Sequence, residues 1–196
     1  TTVAPDRLRA GASLGHILFG ENKAQELLDK VPALKDLDIE WHFIGHLQSN
    51  KVKNVIAPSI LIHSVDRLPL AQEISKRAVQ LGRPCQILIE VNTSGEAGKS
   101  GVAPDQAIDL GRHISSLPSV EVKGLMTLAK ESKKEAVVRG CFRRLRELSD
   151  AIRAAKLPHV KMDELSMGMS QDYQIAIEEG STLIRIGSAV FGRRSI

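Results

Sequence analysis

Aromatic side chains are scarce: phenylalanine, tyrosine and tryptophan make up 3% of the chain. A core built without them must rely on leucine, isoleucine, valine, alanine and a few methionines. Cysteine is as sparse. Cys85 and Cys141 stand far apart in apolar or helical settings and offer neither a metal spacing nor a disulfide framework, so a reducing compartment is expected. No run approaches the roughly 18 apolar residues of a membrane span, and no signal peptide is visible; a cytoplasmic location with no membrane partner is the expectation. Nor does one sign of charge dominate, because 27 Lys and Arg face 23 Asp and Glu. The densest basic runs, KESKKE and FRRLRE, carry acids among the bases, which reads as solvated helix faces rather than a nucleic-acid surface. What is present is an ordinary globular balance, 42% hydrophobic and 26% charged over 196 residues. Residues 1–196 are read as a single domain with a sizeable core, because repeats, low-complexity tracts and a Pro/Gly linker are all missing.

Short β-branched runs alternate with amphipathic helical patterns. The predicted strands are His16–Gly20, Ile39–Gly45, Leu61–Val65, Cys85–Asn92, Val120–Thr127, Val160–Ser166 and Leu183–Gly187. Apolar residues three and four apart predict helices over Asp6–Leu14, Asn22–Lys30, Leu68–Leu81, Pro104–Leu117 and Lys134–Lys156. Pro104 opens one of these and Gly82 follows another. Such alternation implies parallel strands with crossover helices. A (β/α)8 TIM-type barrel has eight strands; seven are legible, and a first strand with its N-terminal helix is expected to precede Thr1. An open doubly wound sheet is the alternative that periodicity leaves standing.

In a barrel, chemistry gathers where strands enter their following loops. Those ends read FGEN, IGHLQSNK, HSVD, EVNTSGEAGKSG, GLMT, LSMGMS and RIGSAVFG. The last two run from strands toward helix starts, and barrels often build phosphate sites from the loops after strands seven and eight. Backbone N–H groups at a helix start can hold a dianion. Ser166, Gly187 and Ser188 are the predicted phosphate cradle; each segment alone would read as small turn residues and caps. Arg185, between Ile184 and Ile186, faces the side opposite its neighbours, the interior of a closed barrel. It must pair with a carboxylate such as Glu90 or Asp163, or meet a ligand. His42 and His46 lie four apart, but Gly45 interrupts and no third ligand is evident, so no metal is expected. The Thr93–Gly101 loop departs from the phosphate-loop spacing and reads as a mobile glycine-rich loop.

Together these segments resemble one family. WHFIGHLQSNK from Trp41 to Lys51, with FGEN, GLMT, LSMGMS and RIGS, is similar to the pyridoxal-phosphate homeostasis protein family, itself similar to the N-terminal barrel domain of alanine racemases. The resemblance spans essentially the whole chain. It implies a barrel carrying pyridoxal 5'-phosphate (PLP) on a Schiff-base lysine at the end of the first strand. Ser166, Gly187 and Ser188 would hold the phosphate, Arg185 would face the pyridine nitrogen, and Asn22 and Met126 would line the ring. The lysine is expected at or just before Thr1, and truncation explains its absence better than replacement. Lys51, Lys99 and Lys123 read as ordinary surface or loop lysines.

The expected function is cytosolic vitamin B6 homeostasis, carrying or buffering PLP without catalysis, with apo PLP-dependent enzymes or amino acids as further partners. The alternative is a racemase-like PLP enzyme acting on an amino acid. Against it, no tyrosine is placed to serve as the opposing acid/base; Tyr173, the sole tyrosine, follows the phosphate loop in a helix. A barrel for another phosphorylated metabolite, or a protein-interaction module using the basic Lys133–Lys156 helix, rank below these.

Overall fold

A computed structural model describes residues 3–192. Seven strands lie in the order in which they occur along the chain, each parallel to the next: β1 Leu18–Glu21, β2 Glu40–Phe43, β3 Ser59–Val65, β4 Cys85–Glu90, β5 Val120–Met126, β6 Val160–Met169 and β7 Leu183–Arg185. A doubly wound sheet would reverse its strand order partway; this one never does, and the strands form a nearly closed α/β barrel. The position expected for an additional first strand lies outside the described residues.

The helices follow the strands: α1 Pro5–Ser13, α2 Ala24–Ala33, α3 Val52–Val55, α4 Leu68–Leu81, α5 Ala107–Ser115, α6 Glu135–Ala154, α7 Tyr173–Glu178 and α8 Ser188–Phe191. Gly82 ends α4 in the left-handed conformation (φ 68°), its N–H satisfying the carbonyls of Ala78 and Val79. α2 runs past Lys30 and carries Pro32 in its last turn, where few helical bonds remain to be lost. α3 has four residues, too few to show a helical period.

Period-2 alternation divides the strand residues between two environments. Outward positions such as Phe19, Trp41, Phe43, Ile62, Ile87, Ile89, Val122 and Leu165 pack beneath the helices in the main apolar core. Inward positions form layers. Glu40, Gln86, Lys123 and Glu164 surround a cavity of about 240 Å³ at the N-terminal mouth. Above it Leu61, Leu88 and Met126 cluster with Leu183. Toward the C-terminal ends the inward residues turn polar again: His63, Glu90, Ser166 and Arg185.

One charged contact fixes the outer ring. Arg139, Arg143 and Arg146 of α6 converge on Glu179, just after α7, at 3.1, 3.1 and 2.9 Å, and the guanidiniums hold its carboxyl below the usual range. Glu179→Gln is expected to cost about 1 kcal/mol, a fall of about 2–4 °C in melting temperature measured by calorimetry, because three partly exposed cations lose their shared anion while Arg139 keeps Glu135 and Glu178.

Candidate functional site

β7 is short, and its two inward residues do different work: Leu183 joins the apolar layer and Arg185 the polar one. Arg185 donates from Nη1 to Ser166 Oγ at 2.6 Å and from Nη2 to the Thr127 carbonyl at 2.8 Å. No carboxylate lies within ion-pair distance of it among the described residues, so neither Glu90 nor Asp163 takes the pairing role considered from sequence. Burial pulls the guanidinium down to about 10, with Asp172 and Glu90 opposing from a distance. Glu90 is pushed up to about 7, chiefly by burial, with Asp66 adding and Arg185 opposing.

Thr127 is locked in turn. Its hydroxyl donates to the Val91 carbonyl at 2.7 Å, leaving its oxygen to accept from Thr93 at 2.9 Å. β4 and β5 thus hold the carbonyl that Arg185 uses. Ser166 is fully buried, and its oxygen also lies 2.9 Å from His63 Nδ1; His63 Nε2 lies 2.9 Å from His42 Nδ1. Burial pulls His42 down to about 4 and His63 well below its ordinary value, so both imidazoles are uncharged at neutral pH.

The other end of the site is backbone. Gly187 precedes α8, and a Cβ added there would meet nothing within 4 Å. The N–H groups of Gly187 and Ala189 both donate to Ser170 Oγ at 3.2 Å. Ser188 is exposed at the start of α8, and Asn22 is exposed after β1. Met126 is buried against Leu61 and Leu88 in the layer below.

The residues singled out from sequence therefore sort into two sets of contacts. Ser166 joins Arg185 and His63, while Gly187 joins Ser170, which sequence reading passed over. His42 and His63 were missed as partners; HSVD stood out as a strand end, but nothing local tied His63 to a serine 103 residues away. His46 is exposed and apart from this pair, and no cluster of three or more His, Cys, Asp or Glu able to hold a metal occurs among the described residues. The Thr93–Gly101 loop, expected to be mobile, is tied by Asn92, which bonds the Glu96 carbonyl and the Gly95 N–H at 2.9 and 3.1 Å. The position expected for the lysine, at or before Thr1, lies outside the described residues.

The family model described as the alanine racemase N-terminal domain matches residues 6–195. More narrowly, the chain belongs to the pyridoxal phosphate homeostasis protein family. The relative of that name from Aquifex aeolicus is 48% identical over 193 residues, covering 98% of this chain and 84% of the relative. The one from Vibrio cholerae is 44% identical over 184 residues, covering 92% and 77%. PipY of Synechococcus elongatus, solved with PLP bound, matches with a TM-score of 0.88 at 33% identity, covering 96% of this chain and 87% of PipY. An alanine racemase of Clostridium difficile matches with a TM-score of 0.75 at 16% identity, over 96% of this chain and 48% of the racemase, and shares the fold. No helix among the described residues is long and apolar enough to cross a membrane.

Proposed function

We propose that this chain, as one barrel domain, binds PLP at the C-terminal ends of its strands and holds or hands on the cofactor instead of turning over a substrate. Arg185 carries the reading. A half-buried guanidinium that meets two uncharged oxygens and, among the described residues, no carboxylate has charge left for a ligand to share. A pyridine nitrogen fits: Arg185 would donate a hydrogen bond to it without surrendering the proton. PLP supplies an aldehyde that reacts with amines and a ring that draws electrons, and an arginine partner leaves that ring a weaker sink than a protonated one.

Gly187 and Ser188 would hold the phosphate together with Ser170. The Ser170 hydroxyl accepts the two N–H bonds that a phosphate oxygen would take, and the open side of Gly187 leaves room for the group. Ser166, placed in that cradle from sequence, has its oxygen engaged by Arg185 and His63 and serves the ring end instead. Met126 would form the floor beneath the ring and Asn22 the rim. The PLP-bound PipY structure and the relatives' name support the cofactor assignment. Apo PLP-dependent enzymes in the cytoplasm are the recipients this reading implies.

Titration of the protein with PLP, followed by absorbance, is expected to saturate, with Arg185→Ala weakening binding at least tenfold, on the order of 1.4 kcal/mol. Equal affinity in wild type and variant, or equal competition by simple sugar phosphates, overturns the reading. Amino acids incubated with the PLP-loaded protein in deuterated water are expected to keep their α-protons; exchange would return the racemase alternative.

A further inference from the structure

Behind Arg185 lies a buried line of hydrogen bonds that the proposed cofactor contact does not itself use. It runs from Arg185 on β7 to Ser166 on β6, then to His63 on β3 and His42 on β2. His63 is 1% and His42 7% exposed, so water does not satisfy these rings.

The line has only one consistent direction. Arginine donates and never accepts, so Ser166 Oγ must accept from Arg185. The Ser166 hydroxyl hydrogen then needs an acceptor, and among the described residues the nearest ring nitrogen, His63 Nδ1, is the one in bonding distance. With Nδ1 accepting, an uncharged His63 carries its hydrogen on Nε2 and donates it to His42 Nδ1. The opposite order would aim the His63 and Arg185 hydrogens at one oxygen and leave a fully buried hydroxyl hydrogen with nowhere to go, which is costly. His42, whose Nε2 hydrogen ends the line, also lines the cavity at the N-terminal mouth.

We infer that His63, backed by His42, is a positioning residue for Arg185: it takes the hydroxyl hydrogen of Ser166 and thereby turns that oxygen's accepting side to the guanidinium. Together with the Thr127 carbonyl this fixes the guanidinium plane from two sides. The consequence for cofactor binding rests on the reading of Arg185 given above, but the hydrogen arrangement does not.

Two measurements test it. The first is ¹⁵N NMR of the imidazole nitrogens in the protein without PLP. His63 is expected to show a bare Nδ1 and a protonated Nε2; a protonated Nδ1 overturns the inference and leaves the proposed function untouched. The second is PLP affinity. His63→Leu is expected to weaken binding about tenfold and His63→Asn, which keeps an acceptor near the Nδ1 position, to recover it to within about threefold. In a Ser166→Ala background, His63→Leu is expected to add no further loss, because the connection is already cut. Failure of Asn to rescue in a folded variant, or full additivity with Ser166→Ala, overturns the inference. Should His63→Leu not fold, the tautomer and a comparison of His63→Asn with Ser166→Ala still decide. An unaltered affinity in Arg185→Ala would instead remove the proposed function.

Discussion

Gly45→Ala is expected to lower the melting temperature by about 8–16 °C, corresponding to about 4 kcal/mol. A Cβ at this position would lie 1.9 Å from the Asn22 carbonyl oxygen, 2.6 Å from its carbon and 2.8 Å from its Cα. All three are backbone atoms, so no side chain can swing away. The neighbouring Ile44 N–H bonds the Glu21 carbonyl at 2.9 Å and holds β1 against β2, so relief requires parting the two strands. Because Asn22 is placed at the rim of the proposed cofactor site, PLP affinity should fall in the same variant. Gly140→Ala is the control. Gly140 lies within α6 with nothing within 4 Å of an added Cβ, and that change is expected to stabilise by about 0.5–1 kcal/mol. Calorimetry on the two variants checks both signs.

Two buried groups tilt stability in opposite directions across the same window, about pH 4.5 to 6.5, and largely offset each other in the wild type. His42, held down at about 4, makes its contribution above the unfolded-state value near 6.5 and loses it as acid carries the protein toward pH 4. The loss amounts to about 3 kcal/mol, since the unfolded imidazole takes the proton that the folded one refuses. His63, lowered further into the interior, acts in the same direction. Glu90 acts in reverse. Its carboxyl is raised to about 7, so its contribution is complete below about 4.5 and is lost as pH rises through 7, again by about 3 kcal/mol. Glu90→Gln should therefore raise the melting temperature at pH 8 and change it little at pH 4.5. Thermal unfolding from pH 4.5 to 8.5 in wild type and variant measures this directly; a variant equally shifted at both ends would contradict it.

Much of the barrel was legible because its signals are local. Each strand is a β-branched run, and each long helix shows its 3.6-residue period, so all seven strands fall where the pattern places them. Boundaries slipped where tertiary contacts decide them: β6 continues to Met169, beyond Ser166, through pairing with β7 at Met169 and Arg185. α3 and α7, of four and six residues, carry too few turns to leave a period. Arg185 could be placed in the interior from alternation alone. Its partners could not, because Thr127 and Ser166 arrive from other strands and His63 from 103 residues before Ser166. The buried pairing of Lys30 with Glu21 and Glu26 escaped for the same reason, since Lys30 looks like any helix lysine until the barrel closes over it.

The layer of Leu61, Leu88, Met126 and Leu183 is a partition as well as a packing element. It separates the acidic and basic groups of one mouth from the arginine end of the other, so exchanging charges at Glu40 or Lys123 should pass unnoticed by a cofactor at the far side. The imidazole pair of His42 and His63 spans that layer, so a change that displaces the His42 ring itself is the one that reaches the upper side.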